Sequence, residues 1–219
     1  MNIVILLFDA VTALDAVGPY EVLSRLPGAE VRFVAAAPGP QRTDNRFLAL
    51  HADHGLDDVT SAEILVVPGG FGTRPLVRDD RILGWIRDID LTTRWTTSVC
   101  TGSLLLAAAG LLDGLEAATH WAARDDLRSL GAHPSGRRVV EHGKFVTAAG
   151  VSSGIDMALR LADIVSGPVV AQAIQLMIEY DPQPPFDTGA PEKASDEVRA
   201  KVQEMRLASP TANLLRATS

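Results

Sequence analysis

Cys100 is the one cysteine in 219 residues. It stands in Trp95-Thr-Thr-Ser-Val-Cys100-Thr-Gly-Ser-Leu104, after an apolar run that reads as a buried strand and before the small-residue start of a helix. Ser98, Gly102 and Ser103 are small enough to let strand and helix approach around a sharp turn, the arrangement of a nucleophile elbow. A helix start offers free N–H groups and partial positive charge, and both are expected to enlarge the thiolate population. A lone cysteine is ordinarily a small core residue. The strand-end position separates this one, because ligands of parallel α/β sheets bind there.

Asp15 lies in Leu14-Asp15-Ala-Val-Gly18-Pro19, after the first strand and therefore at the same end of the sheet. It either caps a helix entered at Pro19 or converges with Cys100. In a dry crevice beside a thiolate its pKa would rise through desolvation and like charge. Such a carboxyl can act as general acid and then as base. Pro68-Gly69-Gly70 follows the third strand. It reads as a plain turn or as half of an oxyanion-type hole, with Gly70 and the Thr101 N–H as donors. No phosphate-loop pattern is present. His51, His54, His133 and His142 fall where loops or turns are expected, and His120, in Ala118-Thr-His120-Trp121, reads as a satisfied structural histidine. No His, Asp or Glu pair has zinc spacing, so no metal site is expected.

The elements that must position these residues follow from apolar patterning. Ile3 to Phe8, Val31 to Ala37, Ile64 to Val67 and Trp95 to Val99 are apolar runs without alternation, as in strands buried on both faces. Helical patterns lie between and after them: Pro19 to Leu26, Arg81 to Asp90, Ser103 to Leu112, Ile155 to Val165 and Val169 to Tyr180. Arg137 to Glu141 and Lys144 to Thr147 form a hairpin at His142-Gly143. The expected fold is an α/β, flavodoxin-like three-layer sandwich, its mostly parallel sheet covered by helices on both faces. Residues 1–186 read as the catalytic domain. Residues 187–219 read as a C-terminal extension with a polar helix from Ser195 to Leu207, striped by Val198, Val202 and Met205, packed on the same domain or on a dimer partner.

The net charge is −7 and no Lys/Arg block occurs, so nucleic acid is not an expected partner. The apolar run Leu104 to Leu112 is about half a membrane span, which argues against a membrane partner. The N-terminus lacks a basic region before its apolar stretch, so no secretory signal and a cytoplasmic location are expected.

Taken together, Leu14-Asp15-Ala-Val-Gly-Pro, Pro68-Gly-Gly, Ser98-Val-Cys100-Thr-Gly-Ser103, Ala108-Ala-Gly-Leu-Leu112, Ala118-Thr-His-Trp121, Gly154-Ile-Asp156 and Glu179-Tyr with Pro184-Pro-Phe resemble the ThiJ/PfpI superfamily, and within it the isocyanide-hydrating branch. The resemblance implies hydration of an isocyanide (isonitrile) to an N-substituted formamide through a covalent Cys100 thioimidate, with Asp15 moving the protons. It implies a small-molecule substrate, no cofactor, and a homodimer. Thr101 stands where protease-like relatives place a histidine, which disfavours proteolysis. A glyoxalase or deglycase activity, and a ligand- or redox-sensing domain without catalysis, are the alternatives.

Overall fold

The computed structural model describes residues 1–216, with side chains through residue 214. The expected C-terminal extension therefore runs three residues past the described chain. The central sheet contains β1 (Asn2–Leu6), β2 (Glu30–Ala35), β5 (His54–Gly55), β6 (Ile64–Val67), β7 (Trp95–Val99), β10 (Val139–His142) and β11 (Phe145–Ala148). Two short pairs lie outside it: β3 (Gly39–Arg42) with β4 (Ala49–Ala52), and β8 (Glu116–Ala117) with β9 (His133–Pro134). The sheet order is β10-β11-β7-β6-β1-β2-β5, parallel throughout except for the antiparallel β10–β11 hairpin.

The apolar runs explain the layers. Along β1, Val4 and Leu6 enter one core while Ile3 and Ile5 enter the other. A strand with no polar face needs cover on both sides. On one side are α2 (Thr73–Leu76), α3 (Asp80–Asp90) with Ile82, Ile86 and Ile89, α4 (Gly102–Ala108) with Leu104 to Leu106, and α5 (Arg124–Ser129) with Leu127. On the other are α1 (Ala13–Leu23), α6 (Ser153–Ser166) and α7 (Pro168–Met177). The α3 start is capped as its sequence dictates, with the Asp79 carboxylate accepting the Arg81 and Ile82 N–H groups.

Three local expectations need correction. Pro19 lies inside α1 rather than opening it. The helix is instead started upstream, where the Thr12 N–H donates to Gly69 O at 2.9 Å. Asp15 therefore sits in the first turn of α1, and the cap position belongs to Thr12. The four other histidines lie on short strands: His51 on β4, His54 on β5, His133 on β9 and His142 on β10. His54 is half-buried and the rest are exposed. Finally, the polar helix α8 (Asp196–Leu207) is capped by Ser195 as expected, but Met205 is exposed. No described helix is long and apolar enough to cross a membrane.

Candidate active site

Cys100 occupies the joint between β7 and α4 with φ of 56°, in the left-handed region that non-glycine residues seldom enter. Bonds on both flanks hold it there. Its N–H donates to Ala148 O and Ala149 O at 3.1 and 2.8 Å, so the elbow is stitched to the end of β11. Its carbonyl accepts from Ser103 Oγ and Thr119 Oγ1. Gly102 is required next in the chain, because a Cβ there would lie 2.0 Å from Val67 O. The strain is over-determined by its surroundings, as at functional turns generally.

Asp15 comes to the same point. It is fully buried, and its Oδ2 accepts the Gly69 N–H at 2.9 Å. Gly69 must be glycine for this approach, since a Cβ would fall 2.5 Å from Thr101 N and 2.8 Å from Asp15 Oδ2. Asp15 Oδ1 has no well-aligned partner among the described residues. Burial raises the Asp15 pKa from its ordinary 3.8 to about 8, against the opposing Gly69 and Cys100 hydrogen bonds, with the charge of Asp44 adding to the rise. At neutral pH the carboxyl is protonated. With Oδ2 holding the Gly69 N–H, Oδ1 is left to carry the proton.

The expected lowering of the thiol pKa does not hold for the resting site. Burial pushes the Cys100 thiol well above its ordinary value, and a charged Asp15 adds to that rise. The Thr101 N–H and the Arg74 charge oppose it. The helix start does contribute, but depth outweighs it.

The oxyanion-type hole is also corrected. The Gly70 N–H donates to Thr101 Oγ1 at 3.0 Å, and the Thr101 N–H is directed at the Cys100 sulfur. Both residues reach the site, but neither N–H is held ready for a developing oxyanion.

A cavity of about 210 Å³ opens on Cys100 and Thr101, with Thr12, Asp44, Phe71, Arg74, His120, Val151, Val202 and Arg206 in its wall. Several of these were not foreseen. Arg74 is buried, ion-paired to Asp126 at 3.0 Å and donating to Thr73 Oγ1. It belongs to the glycine-rich segment after β6, which is the signal that could have found it. His120 is half-buried, and its Nδ1 accepts the Ala122 N–H, which leaves Nε2 to carry the ring proton. Burial, followed by the charges of Arg206, Arg74 and Arg124, lowers its pKa to about 4, so the ring is neutral. It also lines an adjoining cavity of about 430 Å³, together with Arg124, Arg138 and Val151.

The family model described as DJ-1/PfpI family matches residues 1–164. The chain belongs to the DJ-1/PfpI family. Among DJ-1/PfpI relatives, the isonitrile hydratase of Pseudomonas putida is 44% identical over 198 residues, covering 90% of this chain and 86% of that protein. A helix-turn-helix-type transcriptional regulator of Pseudomonas aeruginosa, CdhR, is 29% identical over 75% of this chain, but the match covers 49% of the regulator. A ThiJ/PfpI protein of Pseudomonas syringae superposes with a TM-score of 0.89 at 35% identity, covering 97% of this chain and 89% of that one. Drosophila melanogaster DJ-1beta, at 16% identity, shares the fold with a TM-score of 0.73 over 82% of this chain and 98% of that one.

Proposed function

We propose that this protein hydrates isocyanides to N-substituted formamides, with Cys100 as nucleophile and Asp15 as the group that moves protons. The carrying observation is the buried carboxyl of Asp15 meeting the Cys100 thiol at a strained elbow. The 44% identity to a hydratase over most of both chains supports the same reading.

The chemistry balances without another reactant than water. Loss of one proton from the Asp15–Cys100 pair leaves the charge on the carboxylate, which takes the thiol proton as the sulfur attacks, so that charge passes to sulfur and a proton stands on the carboxyl. The Thr101 N–H and Arg74 stabilise that charge. The thiolate attacks the terminal carbon of R–N≡C, and Asp15 protonates the same carbon, giving R–N=CH–S–Cys100. The Asp15 carboxylate then takes a proton from water as the water oxygen adds to the thioimidate carbon, and it hands that proton to the nitrogen, returning to the carboxylate. Collapse of R–NH–CH(OH)–S breaks the C–S bond, releases R–NH–CHO and returns the thiol.

The remaining parts of the reading rest on the following. The substrate is a small molecule held in the cavity above Cys100, with residues 1–186 as the catalytic unit and residues 187–219 as an extension laid over it. The presence of Val202 and Arg206 in the cavity wall supports that division. A homodimer in the cytoplasm is part of the proposal, and exposed Val169, Leu176 and Met177 on α7 support an apolar self-contact.

The test is consumption of cyclohexyl isocyanide and p-nitrophenyl isocyanide by purified protein, with methylglyoxal assayed in parallel. Formamide production supports the hydratase reading. Inert isocyanides with Cys100-dependent loss of methylglyoxal would replace it by a glyoxalase.

A further inference from the structure

An isocyanide carbon needs a thiol, a proton and a dry wall, and none of these calls for a guanidinium at the mouth. Yet Arg206 of α8 reaches the wall of the cavity that holds Cys100. It is half-buried, and no side-chain hydrogen bond or ion pair engages it among the described residues. Of the other charged groups in that wall, Arg74 has a carboxylate partner, and Asp44 has a neutral hydroxyl and no ion pair among the described residues. Arg74 is held by Asp126 and Thr73, and Asp44 Oδ2 accepts the Thr12 hydroxyl at 2.6 Å. His120 is neutral. Arg206 lies close enough to Arg74 to disfavour the Arg74 charge. A partly desolvated cation beside a second cation costs free energy unless an anion joins them. The rest of the wall includes Phe71, Val151 and Val202, so the space between the charges and the sulfur is apolar in part.

The position of α8 is not an accident of a loose tail. Thr211, just beyond the helix, is buried and donates its hydroxyl to Asp44 O at 2.7 Å, which ties the end of α8 to the rim of the same cavity.

We propose that the substrate is an isocyanide bearing a carboxylate on a short apolar chain, and that Arg206 binds the carboxylate while the isocyano carbon meets Cys100. The inference rests on the hydratase reading and deepens it. A cavity of about 210 Å³ holds the volume of about seven waters, which suits a ligand of roughly eight to ten non-hydrogen atoms. Arg206 is a specificity residue here, and Arg74 adds to the field without leaving Asp126.

The test compares ω-isocyano carboxylates of two to four chain carbons with their methyl esters, so that charge changes while the reacting group does not. The readout is the ratio of kcat/KM for acid over ester. In the wild-type protein the ratio should exceed about tenfold for at least one chain length, as a charge-assisted contact in a partly dry site gives. Raising salt from about 20 mM to about 500 mM should lower the ratio and leave the ester's KM little changed. Arg206→Met should cut the ratio by about tenfold or more, and Arg206→Lys should retain part of it. Should Arg206→Met fail to fold, the wild-type ratio and its salt dependence decide the matter. A wild-type ratio near or below one at every length, with esters still hydrated, overturns the carboxylate and spares the hydratase. A high ratio that survives Arg206→Met in a folded variant overturns the role of Arg206. If acids, esters and cyclohexyl isocyanide all go unhydrated, both readings fall together.

Discussion

Replacing Asp15 by Asn should make the protein more stable at neutral pH while stopping its chemistry. Asp15 is fully buried, and its pKa is raised from 3.8 to about 8. The folded state therefore holds a proton that the unfolded chain has released at pH 7. Keeping it there costs 2.303RT for each pH unit above the unfolded pKa, or about 4 kcal/mol at pH 7. Asn carries no proton to lose, and its carbonyl oxygen can still accept the Gly69 N–H. Its amide N–H₂ replaces Oδ1, which has no well-aligned partner, and costs about 1–2 kcal/mol in return. The net gain is about 2–3 kcal/mol at pH 7. The sign follows from the direction of the shift. Below about pH 4 both side chains are neutral in both states, and the variant should be equal or slightly less stable. Between about pH 4 and pH 8 the wild type should lose stability relative to the variant, and above about pH 8 the difference should level off. Urea titrations of both proteins at each pH, followed by circular dichroism, give the difference directly. A variant less stable than wild type at pH 7, or a difference flat from pH 4 to 8, would refute the buried protonated carboxyl.

Two further predictions concern the same site, one from its protons and one from its packing. The kcat/KM for a neutral isocyanide should climb as pH rises through about 8, because the reactive form has one proton fewer than the resting Asp15–Cys100 pair; a flat profile from pH 6 to 9 would count against it. Gly102→Ala should destabilise the fold by about 2–4 kcal/mol, since its Cβ would lie 2.0 Å from Val67 O, and thermal unfolding checks this.

Much of the scaffold was legible because it rests on unbroken apolar runs. Ile3 to Phe8 and Trp95 to Val99 marked β1 and β7, and the segments that follow those two strands carry Asp15 and Cys100 to one end of the sheet. Residue type and strand-end position marked both as candidates, and the fold brings the two side chains together. What could not be read was depth. A helix start beside Cys100 suggests a lowered thiol pKa, but burial reverses it, and Cys100 packs in one cluster with Val146 and Ala148 of β11 and Met157 of α6, elements distant in sequence. The Gly70 N–H looked available until the Thr101 hydroxyl was found to take it, a contact between two loops. Pro19 looked like a helix opening because its own chemistry favours that place. Thr12, tied to Gly69 O across the turn, set the start instead. Least legible was α8. Its apolar stripe named Val198, Val202 and Met205, yet Met205 is exposed and Arg206 reaches the cavity with Val202. Residues four apart share a helix face, but which face of a mostly polar helix packs inward is decided by the surface it meets.

The most direct measurement is the mass of the intact protein quenched within milliseconds of mixing with cyclohexyl isocyanide. Covalent catalysis through Cys100 requires a transient gain equal to one substrate molecule, located on the peptide that contains Cys100, decaying as N-cyclohexylformamide appears and absent in Cys100→Ala. Steady formamide production by Cys100→Ala at the wild-type rate would contradict it.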